Sequence, residues 1–219
     1  MRLLRERELF PCEDTQVVRG KIDNRTVEVL HTGVGENSCR RRLATFLQRE
    51  PFDLLISTGF AGALDERLKP GDLVLAENFS TVKLDQTRAL LSELKVHEAR
   101  FATISRIIES PEERAELARS TDASAVDMET DVVARLCAEH AVPLLALRAI
   151  SDTPARPFPA PAGVLFDLQR QKTPLSRLGF FLLTHPARLP RMLRFARQVR
   201  MARRAVTRGL ETLLRSEWL

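Results

Sequence analysis

Residues 142–150 read VPLLALRAI, an apolar run interrupted only by Arg148. A run of this kind is expected for a central strand covered on both faces. Such a strand requires helices on either side of its sheet, and the rest of the chain alternates accordingly. Residues 26–32 alternate as a strand and lead into Gly33-Val34-Gly35. Asn37 or Ser38 then caps a helix that runs to Arg49 and is ended by Pro51. Residues 52–58 read as a second buried strand, with Gly59-Phe60-Ala61-Gly62 as a turn. Residues 72–76 and 100–108 read as further strands. Ser110-Pro111-Glu112-Glu113 opens a helix, with serine as cap, proline at the first position and acids at the positive end. Ala125-Val126-Asp127 leads into a helix from Glu129 to about His140. The expected fold is α/β, a mixed, mainly parallel central sheet flanked by helices. It is read as a single domain over residues 1–219. Residues 154–161 hold four prolines and read as a loop. From Pro186 the spacing is helical, and residues 173–219 read as a basic helical C-terminal extension.

Composition narrows the class. Of 219 residues, 44% are hydrophobic and 29% charged, as in a soluble globular protein. No apolar run reaches the length of a spanning helix, and the Arg/Glu-mixed start does not read as a signal peptide. Cys12, Cys39 and Cys137 form no CxxC pair, and the four histidines form no HExxH. These features point away from a disulfide framework or a zinc site and towards a cytoplasmic protein without metal or cofactor. The net charge is +5, yet residues 185–219 hold nine arginines against Glu211 and Glu217. The body is therefore close to neutral and the tail strongly basic.

Ligands of open α/β sheets bind at the C-terminal ends of strands. Three places there carry unusual residues: Gly33-Val34-Gly35, the segment 57–62, and the acids Glu129 and Asp152. Glycines allow a backbone to approach a ligand closely, although by themselves they read first as tight turns. Carboxylates at strand ends can accept ribose hydroxyls or pass a proton, although Asp152 in Ser-Asp-Thr-Pro also suits a turn or a cap.

The segments STGFAGAL (57–64), AVDMET (125–130) and RAISDT (148–153) resemble, in order, three motifs of the purine nucleoside phosphorylase and methylthioadenosine/S-adenosylhomocysteine nucleosidase superfamily. The resemblance implies that Glu129 accepts hydrogen bonds from the ribose 2′ and 3′ hydroxyls and that Met128 lies against the sugar. It implies that Asp152 bonds the purine at N7 and the exocyclic amine and protonates N7 as the glycosidic bond breaks. Ser151 and Arg148 would orient Asp152 or its strand, with Asp127 in support. The backbone near Ile107 and Ile108 would meet the base edge, and Ala61 and Gly62 would floor the nucleoside site. Adenine leaves poorly as an anion, so an acid at the base and a carboxylate under the sugar suit the two changes that bond cleavage requires. An aspartate acting as an acid near neutrality needs burial or a partner that favours its protonated form. The implied partner is a small adenine nucleoside such as methylthioadenosine, S-adenosylhomocysteine or a lipid-linked adenosyl compound. The resemblance also implies a homo-oligomer, commonly a dimer.

Phosphorylases of this type bind phosphate with an Arg and a Ser at the glycine segment. Ser57 and Phe60 stand at the corresponding positions, which favours water as nucleophile. Arg40, Arg41 and Arg42 remain as alternative phosphate ligands. Relatives begin with a hydrophobic strand ending in a water-activating Glu. Residues 1–8 carry no such strand, and Glu6, Glu8 or Glu13 are the substitutes at hand. Hydrolysis, phosphorolysis and a non-catalytic nucleoside-binding role therefore all stay open. The stretch after Thr173 is similar to the C-terminus of hopanoid-associated phosphorylases, which implies the lipid-linked substrate adenosylhopane. Phe180, Phe181, Leu182 and Leu183 followed by the arginines suit either a helix packed on the sheet or peripheral membrane contact. Nucleic acid is not expected, because Phe195 and Trp218 alone interleave the arginines.

Overall fold

The computed structural model describes residues 3–108, 110–155, 158–167, 171 and 173–216. Of the positions named above, Glu217, Trp218, residues 1–2 and residues 156–157 lie outside that range. The chain opens with a three-stranded antiparallel meander: β1 (Arg5–Cys12), β2 (Thr15–Ile22) and β3 (Arg25–Leu30). Helix α1 (Glu36–Leu47) and strands β4 (Leu55–Ala63) and β5 (Leu73–Ala76) follow. Next come α2 (Leu84–Leu90), β6 (Val96–Ala99), β7 (Phe101–Thr103), α3 (Pro111–Thr121) and β8 (Ala125–Asp127). The chain closes with α4 (Thr130–Glu139), β9 (Leu144–Asp152), the short α5 (Ala162–Leu165), α6 (Leu175–Thr184), a 3-10 turn (Pro186–Arg188) and α7 (Leu189–Arg215). Six strands form one sheet in the order β6-β5-β9-β4-β8-β7. Pairings β4/β9, β5/β6 and β7/β8 are parallel, and β4/β8 and β5/β9 antiparallel. The sheet is thus mixed and mainly parallel, as the alternation of strands and helices predicts.

The apolar run at 142–150 becomes β9, buried along its whole length. Because a strand's side chains alternate, its two faces meet different layers. Leu145, Leu147 and Ala149 pack with Leu73, Leu75, Ala202 and Leu213, and the last two belong to α7. Gly209 lets α7 come this close: a Cβ there would lie 2.9 Å from Leu73 Cδ1. Leu144, Ala146, Arg148 and Ile150 occupy the opposite face, and a register shift then pairs Asp152 with Gly62 and breaks the alternation. Leu144 joins a cluster with Leu43, Phe46, Val133 and Leu136 of α1 and α4, and Ala146 and Ile150 join another with Ala61 and Val74.

Several expectations are corrected. Gly59-Phe60-Ala61-Gly62 is not a turn but lies inside β4, where its backbone pairs with β9. The region 100–108 holds strand only at Phe101–Thr103, beyond a break at Arg100. Helix α1 begins at Glu36 after Gly35, with no side-chain cap from Asn37 or Ser38. Residues 5–12 do form a strand, but a largely solvent-facing one whose composition hides it. Ser110 caps α3 as expected, accepting from the Glu113 N–H at 3.1 Å.

Strand β1 sits in the meander and does not enter the six-stranded sheet, which leaves two open edges. Among the described residues β3 pairs only with β2, and β4 pairs with β9 along its length but with β8 only at Gly62 and Ala63. Both open edges line one cavity of about 1140 Å³. Leu55 N–H donates to Pro143 O at 2.9 Å. In the parallel ladder Leu55, Ser57 and Gly59 therefore turn their backbone groups towards β9, and Ile56, Thr58 and Phe60 turn theirs towards the cavity. Amide exchange followed by NMR is expected to show fast exchange at Ile56, Thr58 and Phe60 and strong protection at Ser57 and Gly59. Equal protection along β4 would show that this edge is covered.

Candidate active site

Strand β9 ends in Ser151 and Asp152, past the register shift at which Asp152 comes to pair with Gly62 of β4. Asp152 is 1% exposed. Ser151 Oγ donates to its Oδ1 at 2.7 Å, and Ser151 also donates to Ala61 O at 3.3 Å. The Arg114 guanidinium of α3 closes on Asp152 Oδ2 in a fully buried ion pair. Arg114 is held in turn by Ala63 O at 3.0 Å and Ile108 O at 3.3 Å. Gly62 makes room for this pair: a Cβ there would lie 3.0 Å from Arg114 Nη1 and 3.1 Å from Asp152 Oδ2. Gly62 thus floors the site by omitting a side chain beside the carboxylate.

A second buried network lies under the other acid. Arg148 Nε donates to Asp127 Oδ2 at 3.0 Å, and Arg148 Nη2 donates to Ser57 Oγ at 3.0 Å and Thr130 Oγ1 at 2.8 Å. Asp127 also accepts from Thr103 Oγ1 at 3.0 Å and from the Thr130 N–H at 3.2 Å, so it anchors the start of α4. Arg148 therefore does not orient Asp152. It fixes the turn that carries Met128 and Glu129, two residues from Asp127. Glu129 stands immediately before α4 and accepts from the Gly35 N–H. Burial pushes its carboxyl above the ordinary glutamate range, and the nearby Asp127 adds to this, while the Gly35 N–H opposes it.

Ala61, Gly62, Ile108, Asp127, Met128, Glu129, Arg148, Ser151 and Asp152 all line the same cavity. The two acids thus share one cleft. Asp127 and Asp152 each have a guanidinium partner. Glu129 has none among the described residues and remains an open acceptor. The cavity arginines are all engaged: Arg106 pairs with Glu113, Arg114 with Asp152, Arg148 with Asp127, and Arg25 donates to Leu214 O. Arg40, Arg41 and Arg42 pair with Glu36, Asp14 and Asp14 respectively. The substitutes suggested for a water-activating acid do not reach the cavity. Glu6 pairs with Lys21, Glu13 with Arg41, and Glu8 is exposed. Their strand and hairpin turn belong to the meander, on the far side of β2 from the cavity-lining β3.

Arg114 is the residue that sequence reasoning missed. Its segment signals only a capped helix start, and its partner lies 38 positions away. Phe158 and Phe195 add an aromatic wall, edge to face at 5.4 Å, with the Arg114 guanidinium 6.0 Å from the Phe158 ring centre.

The family model for the phosphorylase superfamily matches residues 2–89 and 80–178. The chain is 27% identical over 176 residues to a 5′-methylthioadenosine/S-adenosylhomocysteine nucleosidase of Glaesserella parasuis serovar 5, covering 67% of this chain and 76% of that one. The Neisseria meningitidis 5′-methylthioadenosine/S-adenosylhomocysteine nucleosidase, solved with methylthio-immucillin-A, superposes with a TM-score of 0.72 at 14% identity. That match covers 97% of this chain and 91% of the other. A futalosine hydrolase mutant of Helicobacter pylori gives a TM-score of 0.62 at 22% identity, over 68% and 78% of the two chains. The two structural matches show a shared fold.

Two stability measurements probe the buried charges. Arg114→Met leaves the Asp152 carboxylate buried and unpaired, and is expected to cost about 3–5 kcal/mol in urea unfolding. Adding Asp152→Asn should return part of that loss; a double variant no more stable than the single one would show that the pair is not coupled. Glu129 binds a proton more tightly folded than unfolded. Its contribution to stability is therefore full below the ordinary glutamate range and is lost as pH rises through its own elevated value. Glu129→Gln should raise Tm at neutral pH and leave it nearly unchanged at about pH 4, as followed by thermal scans.

Proposed function

Because this chain belongs to the phosphorylase superfamily, we propose that it is a nucleosidase that hydrolyses the purine–ribose bond of an adenine nucleoside. The observation that carries this reading is the presence of Glu129 and Asp152 in one cleft, one open as an acceptor and the other buried at a strand end. Glu129 takes the ribose hydroxyls and counters the positive charge that grows on the sugar. Asp152 faces the base, accepts from the exocyclic amine and relays a proton from water to N7 as the bond breaks, so that adenine leaves as a neutral molecule. Ser151 and Arg114 hold the Asp152 carboxylate in position.

Water is favoured over phosphate because every arginine that lines the cavity among the described residues already has a partner. A phosphate would have to displace one of these contacts to gain a bidentate guanidinium. The substrate proposed is methylthioadenosine, S-adenosylhomocysteine or a lipid-linked adenosyl compound such as adenosylhopane. The first two rest on the nucleosidase relatives. The third rests on the likeness of the C-terminal stretch to hopanoid-associated phosphorylases.

Adenine release from these three compounds, with and without phosphate, tests the reading. The expected outcome is release that does not depend on phosphate and that falls about 10²–10⁴-fold in Asp152→Asn. Phosphate-dependent release would move the assignment to phosphorolysis. A second reading, nucleoside binding without turnover, is favoured by the open β3 and β4 edges and by the placement of Glu6, Glu8 and Glu13 away from the cavity. Calorimetric binding of an adenine nucleoside with no base release at high protein concentration would establish it instead.

A further inference from the structure

Helix α6 has the sequence LSRLGFFLLT, yet none of its residues is buried. Leu175 is 77% exposed, Phe180 71% and Leu183 83%. Leu175 and Leu183 are eight positions apart, and Phe180 is three from Leu183, so the three share a helical face. The principal contacts of α6 are with α5 and the 3-10 turn, not with the sheet. An apolar helix left in this position lacks the partner that its composition calls for.

Helix α7 continues the feature with charge. Its sheet-facing side carries the buried Gln198, Ala202, Gly209 and Leu213. The opposite side carries Leu189, Leu193, Arg197, Arg200, Arg204 and Arg208, all exposed and spaced by three or four. The exposed stripe therefore begins apolar, next to the turn that joins it to α6, is cationic from Arg197 to Arg208, and ends at the half-buried Glu211. Among the described residues no carboxylate pairs with any of these four arginines.

We propose that α6 and the outer face of α7 form a docking surface for an anionic lipid bilayer, with α6 and the start of α7 entering the headgroup boundary and the α7 arginines lying on the phosphates. Charge complementarity selects the occupant. A second copy of this face would bring arginine stripes together and be repelled. A nucleic acid would leave Leu175 and Leu183 without a role and, among the described residues, would find no exposed aromatic side chain between the α7 arginines, because Phe195 points into the cavity wall. An anionic bilayer satisfies both halves, taking apolar side chains at its interface and cations at its surface. The surface is independent of the chemistry in the cavity, so the fate of the nucleosidase reading does not bear on it.

Co-sedimentation of the full chain with phosphatidylcholine vesicles, and with vesicles of equal parts phosphatidylcholine and phosphatidylglycerol, tests the proposal. Binding is expected only to the anionic vesicles and should weaken as salt is raised. The triple variant Arg197→Glu, Arg200→Glu, Arg204→Glu should bind at least about a hundredfold more weakly, at about fivefold or more per arginine. All three side chains are exposed, so unchanged circular dichroism is expected. The double variant Phe180→Ser, Leu183→Ser should also lose affinity, and this loss separates a lipid surface from a general polyanion patch. Absence of binding to anionic vesicles at low salt, equal binding to neutral vesicles, or wild-type affinity in either variant would overturn the proposal.

Discussion

The burial of β9 on both faces is the constraint on which the rest of the structure depends. One face is sealed by α7, which approaches closely because Gly209 has no side chain. The other face carries Arg148, and a register shift between β4 and β9 just before Asp152 breaks the strand's period of two and turns the Asp152 carboxyl to Arg114 of α3 instead. Neither charge can reach bulk water, so each has been matched. Asp127 neutralises Arg148, and Arg114 neutralises Asp152. The neighbouring strand β4 conforms to the same requirement. Its glycine-rich end lies flat against β9 and leaves the volume that the second pair occupies.

The two pairs do different work. The Arg148 network ties β4, β8, β9 and the start of α4 into one rigid corner, from which Glu129 projects without a cation of its own. The Arg114 pair reaches from α3 to the end of β9 and holds the aspartate that faces the base in the proposed reaction. Breaking a buried pair costs far more than an exposed one, so the geometry of the cleft is tied to the stability of the fold. Glu129 is the exception. It is desolvated, and the Gly35 N–H, the Arg148 charge and the Met128 backbone offset this only in part, which is the condition of a group held ready for a ligand that supplies further donors.

The cleft is bounded on one side by open backbone. β3 and β4 both turn unpaired edges towards the cavity, because β1 joins the meander and leaves the six-stranded sheet without a neighbour for β4 on that side. Backbone donors and acceptors on an open edge call for partners. The edge and the cleft share one cavity, while the exposed arginine stripe lies on the outer face of α7, and they call for three kinds of contact: backbone, nucleoside and anionic surface.

The elements with strong local signals were readable from residues alone. The apolar run of β9, the Ser-Pro-Glu-Glu start of α3 and the three-and-four spacing of α7 each encode their own conformation. The three ordered motifs pointed to Glu129 and Asp152. Local sequence determines such features because periodicity and capping act over a few residues. What it did not reveal depends on neighbours far along the chain. The glycines of β4 read as a turn, and became strand only because β9 lies beside them. Arg114 carries no mark of its partner, nothing local shows that Arg148 pairs with Asp127, and β1 was hidden because its partner is a hairpin neighbour and not a core. Pairing of buried charges and completion of sheet edges are decided by which distant segments meet, so only the tertiary structure could settle them.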